Sequence, residues 1–145
     1  MKELRPKIFK YKKYHNFLIL NKLKKKEFKH FKLIRGVLGL KVLYSSVIDS
    51  KQISSFIKVI ARHCKRQYKI WLYCFPNMSL TAKSISVRMG KGIGNIINWI
   101  FVIKKNSIFL EIIGKSKNIL LNSLKKSKKK LSFLSKIIIN YKKKK

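Results

Sequence analysis

The sequence predicts one domain of mixed strand and helix, and three observations predict it. The first is a set of short runs rich in β-branched and aromatic residues, each bounded by Gly, Pro, Asn or Ser. The second is one helical stripe, Ile53, Phe56, Ile57, Ile60 and Cys64, at the i, i+3, i+4, i+7, i+11 spacing of a helix packed on a core. The third is size. The 145 residues, 46% of them hydrophobic, suffice for one small core and are too apolar for a disordered basic protein.

In chain order, residues 1–32 read as a basic extension, 33–140 as the domain, and 141–145 as a basic tail. Residues 1–35 hold 13 Lys or Arg against 2 Glu. From Arg5 to Tyr14 cations alternate with Phe and Tyr, and Pro6 disfavours helix at the start. Cations beside stacking surfaces suit an extended arm on RNA, with Arg5, Lys7, Lys10, Lys12 and Lys13 on phosphates. Leu33 to Tyr44 reads as a strand broken or bulged at Gly36 and Gly39. Asp49 or Ser50 can cap the helix that Lys51 to Gln67 encode. Arg62, Lys65 and Arg66 crowd its C-terminal end, where the helix dipole favours cations and RNA contact is expected.

Lys69 to Phe75 is the strongest strand signal, stopped by Pro76 and Asn77. Trp71, Tyr73 and Phe75 share one face, Ile70, Leu72 and Cys74 the other, and both faces are expected in the core. Ile85-Ser86-Val87 alternates as a strand does and enters a glycine-rich loop. Strands near 99–104 and 107–113 follow, joined at Lys104-Lys105-Asn106-Ser107. Ser116 to Lys130 reads as a Lys-rich helix with Ile119, Leu120 and Leu124 inward. Leu131 to Asn140 reads as a last strand.

Charge sets the partner class. Lys and Arg number 37 against 4 acids, a formal +33. Such a chain repels itself unless a polyanion surrounds it. Residue types with AT-rich codons number 80 and those with GC-rich codons 15, so much of the Lys and Ile is mutational drift. The five Arg and six Gly that survive are correspondingly informative. Three of those glycines fall in Val87-Arg88-Met89-Gly90-Lys91-Gly92-Ile93-Gly94-Asn95. A flexible backbone carrying Arg88 and Lys91, with Met89, Gly90 and Gly92 between and beside them, is suited to lie against phosphates. It is neither a dinucleotide fingerprint nor a P-loop, for the spacing fits neither and strand follows it.

Other classes fare worse. An enzyme acting on RNA needs an acid/base pair or a metal cluster. Glu3, Glu27, Asp49 and Glu111 sit on different elements, and His15, His30 and His63 form no cluster. Cys64 and Cys74 have no zinc-ligand spacing and read as buried thiols in a reducing compartment. No cofactor is expected. No apolar run approaches the ~18 residues of a membrane span, and the N-terminus lacks a signal-peptide core. A membrane-surface protein would need basic amphipathic helices and little sheet.

Several stretches together resemble one family. Arg5-Pro6-Lys7, Gly39-Leu40-Lys41, Lys51-Gln52-Ile53, Lys65-Arg66-Gln67, Lys69-Ile70-Trp71 with Phe75-Pro76, and Val87-Arg88-Met89-Gly90-Lys91-Gly92 resemble, in order, ribosomal protein sixteen of the large subunit, in its bacterial and organellar branch. The resemblance covers roughly residues 5–139. It implies an α+β fold of the hammerhead kind, with a mostly antiparallel sheet and two helices. It implies a seat on large-subunit rRNA near the central protuberance, beside neighbouring ribosomal proteins and not as a homo-oligomer. The Arg88–Gly94 loop would then face the aminoacyl-tRNA acceptor arm near the peptidyl transferase region. A basic RNA-binding assembly factor outside the mature ribosome is the alternative. This chain departs from the family at Ile93, where Lys is usual, and at Asn16–Lys32, where Lys and Phe replace Gly and Arg. AT drift without a presequence suggests an organelle-encoded product, mitochondrial ahead of plastid.

Overall fold

The computed structural model describes residues 4–8, 10–24, 32–90 and 92–140. The expectations for Lys91, for residues 25–31 of the extension and for the tail 141–145 lie outside the described residues. Two antiparallel sheets and three helices are described, which places the chain in the α+β class. The helices are α1 (Asn16–Lys24), α2 (Ser50–His63) and α3 (Lys117–Lys128). The strands are β1 (Leu38–Val42), β2 (Ser46–Asp49), β3 (Tyr68–Leu72), β4 (Met78–Ala82), β5 (Asn95–Ile103), β6 (Ile108–Gly114) and β7 (Ser135–Ile139). One sheet has the order β3-β6-β1-β7, the other β2-β5-β4.

The main core forms because alternate positions of the first sheet are apolar. Leu38 pairs with Ile112 and with Ile139, and Leu40 with Leu110 and Ile137. These side chains meet Ile53, Phe56 and Ile60 of α2 and Leu120 and Leu124 of α3 in one cluster. Each fully buried side chain of that kind contributes about 1.5–3 kcal/mol. Phe109 stands edge-to-face with Phe56 at 5.5 Å and with Phe133 at 5.3 Å, which ties β6 to α2 and to the segment before β7.

α2 starts where the sequence says it should. Asp49 is extended at the cap position, and its N–H donates to Gln52 Oε1 at 3.3 Å, half of a capping box. The helix ends at His63, short of Gln67, because Lys65 and Arg66 turn into the left-handed region at φ 46 and 64. α3 keeps Leu120 and Leu124 inward, but Ile119 is 51% exposed. Its inner stripe is completed by Ser123 and Ser127, whose hydroxyls donate to Leu120 O and Leu124 O within the helix.

Three further expectations change. Ile85-Ser86-Val87 is no strand. Ile85 is fully exposed, and a turn closes there with Val87 N donating to Ser84 O at 3.1 Å. The strand entering the loop is β4, whose Ser79 and Thr81 look polar in sequence yet are buried. The Trp71, Tyr73 and Phe75 face is not core. Trp71 and Tyr73 are half-buried, Phe75 is 47% exposed, and β3 stops before Tyr73. Finally, Asn16–Lys24 is a helix, α1, inside the stretch expected only as a basic extension. Its Ile19 is buried in a second cluster with Met78 and Ile100, flanked by Tyr14, Val47, Leu80 and Val102.

Candidate nucleic-acid interface

The glycine-rich loop hangs on the second sheet. Ala82 pairs with Asn95, so β4 and β5 close on residues 83–94. Gly94 makes that closure possible, since a Cβ there would collide with the Ala82 carbonyl. Gly90 and Gly92 serve differently. Both have positive φ, 104 and 78, and nothing lies within 4 Å of a Cβ built on either. They shape the backbone and leave its surface bare. Arg88 is exposed, and Met89 wholly so. Lys83 reaches across to donate to the Gly90 carbonyl. Ile85, Val87 and Ile93 are exposed as well, so no core beneath the loop fixes it.

The N-terminal segment comes to the same sheet. It has no regular secondary structure from Leu4 to Ile8, as Pro6 predicts, but it lies on the protein instead of trailing. Ser79 Oγ of β4 donates to Lys12 O at 2.8 Å, and Lys13 Nζ donates to Ile93 O, in the loop, at 3.3 Å. Arg5, Lys7 and Lys12 line a cavity of about 550 Å³ together with Ser50, Asn98 and Trp99. Lys10 stands 5.3 Å over the ring of Tyr11. The sequence-predicted residues Arg5, Lys7, Lys12, Lys13, Arg88, Met89, Gly90 and Gly92 therefore share the second sheet and its loop.

Arg62, Lys65 and Arg66 do not join them. Ser50, at the start of α2, borders the Arg5 cavity. The 14 residues of α2 carry its other end about 20 Å away. All three cations are exposed there. Lys65 and Arg66 are held in left-handed backbone, which costs ordinary residues about 1–2 kcal/mol each. Gln67 N donating to Cys64 O at 2.9 Å closes the turn.

Neither acid among the described residues forms an ion pair with a cation of either patch. Among the described residues the acids are Asp49, at the cap of α2, and Glu111. Glu111 is buried in β6, and its carboxylate accepts the N–H groups of Ile34 at 3.0 Å, Arg35 at 2.6 Å and Gly36 at 2.5 Å. The Tyr73 hydroxyl donates to it as well, at 3.0 Å. Burial works to raise its pKa, but these four bonds prevail and hold it below the usual Glu value. Tyr73 is pushed up, by burial first and then by its bond and proximity to that carboxylate. Among the described residues no three His, Cys, Asp or Glu stand close enough to hold a metal ion. Burial raises the Cys74 thiol to about 12, which removes it as a nucleophile.

Sequence reasoning missed three cation–aromatic pairs at the surface. Lys69 lies 5.4 Å over Trp71, Lys22 5.9 Å over Tyr14, and Lys105 5.9 Å over Tyr44. For Trp71 the signal was available, since Lys69 sits two positions away on the same strand face. For the other two the partners are distant in sequence.

Over residues 6–138 the sequence matches the family described as ribosomal protein L16p/L10e. It is similar to large ribosomal subunit protein uL16c of Cyanidium caldarium, 39% identical over 137 residues that span 94% of this chain and 95% of that one. It is also similar to large ribosomal subunit protein uL16 of Cereibacter sphaeroides. In two strains that protein is 34% identical over 136 residues, 94% of this chain and 96% of the relative.

Proposed function

The chain belongs to the ribosomal protein L16p/L10e family, and from that membership we propose how it is seated and what its loop does. It is a structural constituent of the large ribosomal subunit and serves translation without catalysing a reaction of its own. The second sheet is its main rRNA-facing side. Arg5, Lys7, Lys10, Lys12 and Lys13 meet phosphates there, and Arg62, Lys65 and Arg66 make a second, separate contact. Residues 1–32 act as the basic extension of the domain, and 141–145 as a further basic tail. Arg88–Gly94 faces the aminoacyl-tRNA acceptor arm near the central protuberance and the peptidyl transferase region. One copy sits in each subunit, among neighbouring ribosomal proteins.

The observation that carries this reading is the bond from Lys13 to Ile93. It puts the N-terminal cations and the glycine loop on one continuous surface. The excess of residue types with AT-rich codons supports an organellar ribosome, and the extent of sequence drift is our ground for putting mitochondrial ahead of plastid.

The test is to sediment organelle lysates at high salt and locate the chain, then repeat with ribosomes carrying Arg88→Lys. The protein should travel with large subunits, and the variant should assemble yet slow aminoacyl-tRNA accommodation. Normal accommodation in assembled ribosomes would reduce the loop to scaffold. A chain found only on immature particles would make it an assembly factor.

A further inference from the structure

The loop that carries Arg88 and Met89 is tight at its root and open at its tip. Ala82 pairs with Asn95 at the root, and Gly94 lets the two limbs approach there. Further out, Ile85, Val87 and Met89 are exposed. Gly90 and Gly92 enlarge the set of backbone conformations open to the loop, and glycine loses more freedom on ordering than any other residue. Among the described residues, three hydrogen bonds restrain the loop beyond its root. Val87 N donates to Ser84 O at 3.1 Å, within the outgoing limb. The other two reach the returning limb, and both donors are lysine ammonium groups. Lys83 holds the Gly90 carbonyl, and Lys13 holds the Ile93 carbonyl at 3.3 Å. Both lysines stand on firm backbone. Lys83 directly follows β4. Lys13 follows Lys12, whose carbonyl accepts a hydrogen bond from the buried Ser79.

We propose that Lys83 and Lys13 are positioning residues, which clamp the returning limb by its carbonyls and so aim Arg88 at the RNA. The proposal rests on the reading of this loop as an acceptor-arm contact and adds what holds that contact in place. Gly90 stands two residues beyond Arg88, so a fixed Gly90 carbonyl leaves few free peptide units between Arg88 and an anchored point. A loop ordered beforehand does not lose that freedom on binding, and the contact gains what disorder would have cost. Lysine suits the task. Its ammonium carries three donors, so either side chain can hold a carbonyl and face a phosphate at once. Its four-carbon stem spans from one limb to the other.

The test has two parts. On the free full chain, an arginine-specific protease reads the order of the loop by cutting after Arg88. Lys83→Met and Lys13→Met keep a long apolar stem and remove the donors. Each should speed that cut about three- to tenfold, the equivalent of one hydrogen bond, and Lys83→Arg should keep the wild-type rate. The second part measures aminoacyl-tRNA accommodation on purified ribosomes. Lys83→Met should slow it about three- to tenfold, with Lys83→Arg again close to wild type. In ribosomes that already carry Arg88→Ala, Lys83→Met should add less than about twofold, because a clamp with nothing left to aim has no further effect.

Unchanged cutting in both Met variants would overturn the proposal, whatever the ribosomes show. Equal slowing by Lys83→Met with and without Arg88→Ala would overturn it in favour of an independent phosphate contact for Lys83. Slowing by Arg88→Ala without slowing by Lys83→Met would overturn it and leave the reading of the loop standing. Normal accommodation with Arg88→Ala in assembled ribosomes would overturn that reading, and the aiming role with it.

Discussion

Glu111 is the residue on which the first sheet's outer face depends. Its carboxylate gathers three successive backbone N–H groups, Ile34 to Gly36. Glu111→Gln keeps the shape but turns a donor toward donors, and should cost about 2–3 kcal/mol in urea unfolding. Tyr73→Phe, which removes a single bond to the same carboxylate, should cost about 1 kcal/mol. The pH dependence follows from the lowered pKa. A group whose pKa is lower folded than unfolded stabilises the fold above its unfolded value, and that stabilisation is lost as pH falls through the folded one. Urea midpoints measured below the ordinary carboxylate range should therefore drop for the wild type. The part due to this residue should be missing in Glu111→Gln. A different contrast tests the two aromatic environments. Phe109→Ala should cost about 3–5 kcal/mol, since the ring is fully buried. Trp71→Ala should cost clearly less, because its ring is half-buried beside Lys69.

At the scale of elements, the glycines of one loop predict opposite outcomes. Gly94→Val should destabilise the β4–β5 hairpin, since its Cβ would strike the Ala82 carbonyl. Gly92→Val meets nothing nearby and should strain only the loop, leaving the thermal midpoint nearly unchanged. A thermal scan of the two variants decides it. Elements held by a strong pattern were legible in the sequence: α2 from its five-residue stripe, and β5 from the uninterrupted apolar run Trp99 to Ile103. β4 was not, because Ser79 and Thr81 are buried by tertiary neighbours, Ser79 through its bond to Lys12. α1 was hidden for another reason: its nine residues are mostly apolar, with Lys at 22 and 24 only, yet they lie inside a stretch whose overall charge reads as a basic extension. The candidate site was legible in its residue types. Its geometry was not, because nothing in Arg5–Tyr14 announces that the segment folds back onto β4 and β5. Deleting residues 4–14 should accordingly lower the urea midpoint as well as weaken RNA binding. A tail hanging free would affect binding alone.

The whole molecule carries +33, and its two described acids are both occupied with backbone or cap. Binding to rRNA should therefore be strongly salt-dependent. With about ten phosphates neutralised, log K against log salt should have a slope of about −7 to −9. Filter binding over a salt series measures it, and a slope near zero would remove the polyanion from the account. The free protein should also melt higher as salt screens its self-repulsion. Scanning calorimetry at two ionic strengths checks that.

The folded-back N-terminal segment also fixes an order of events during synthesis. Lys12 and Lys13 rest on Ser79 and Ile93, which follow them by 67 and 80 residues. At ribosomal rates of about 5–20 residues per second, those partners appear roughly 3–16 s later. During that interval the cations have emerged and the surface that will carry them has not. An anion that meets the nascent chain early finds them unengaged. The segment's first companion can thus be RNA, with β4 and β5 arriving second to lock it in place.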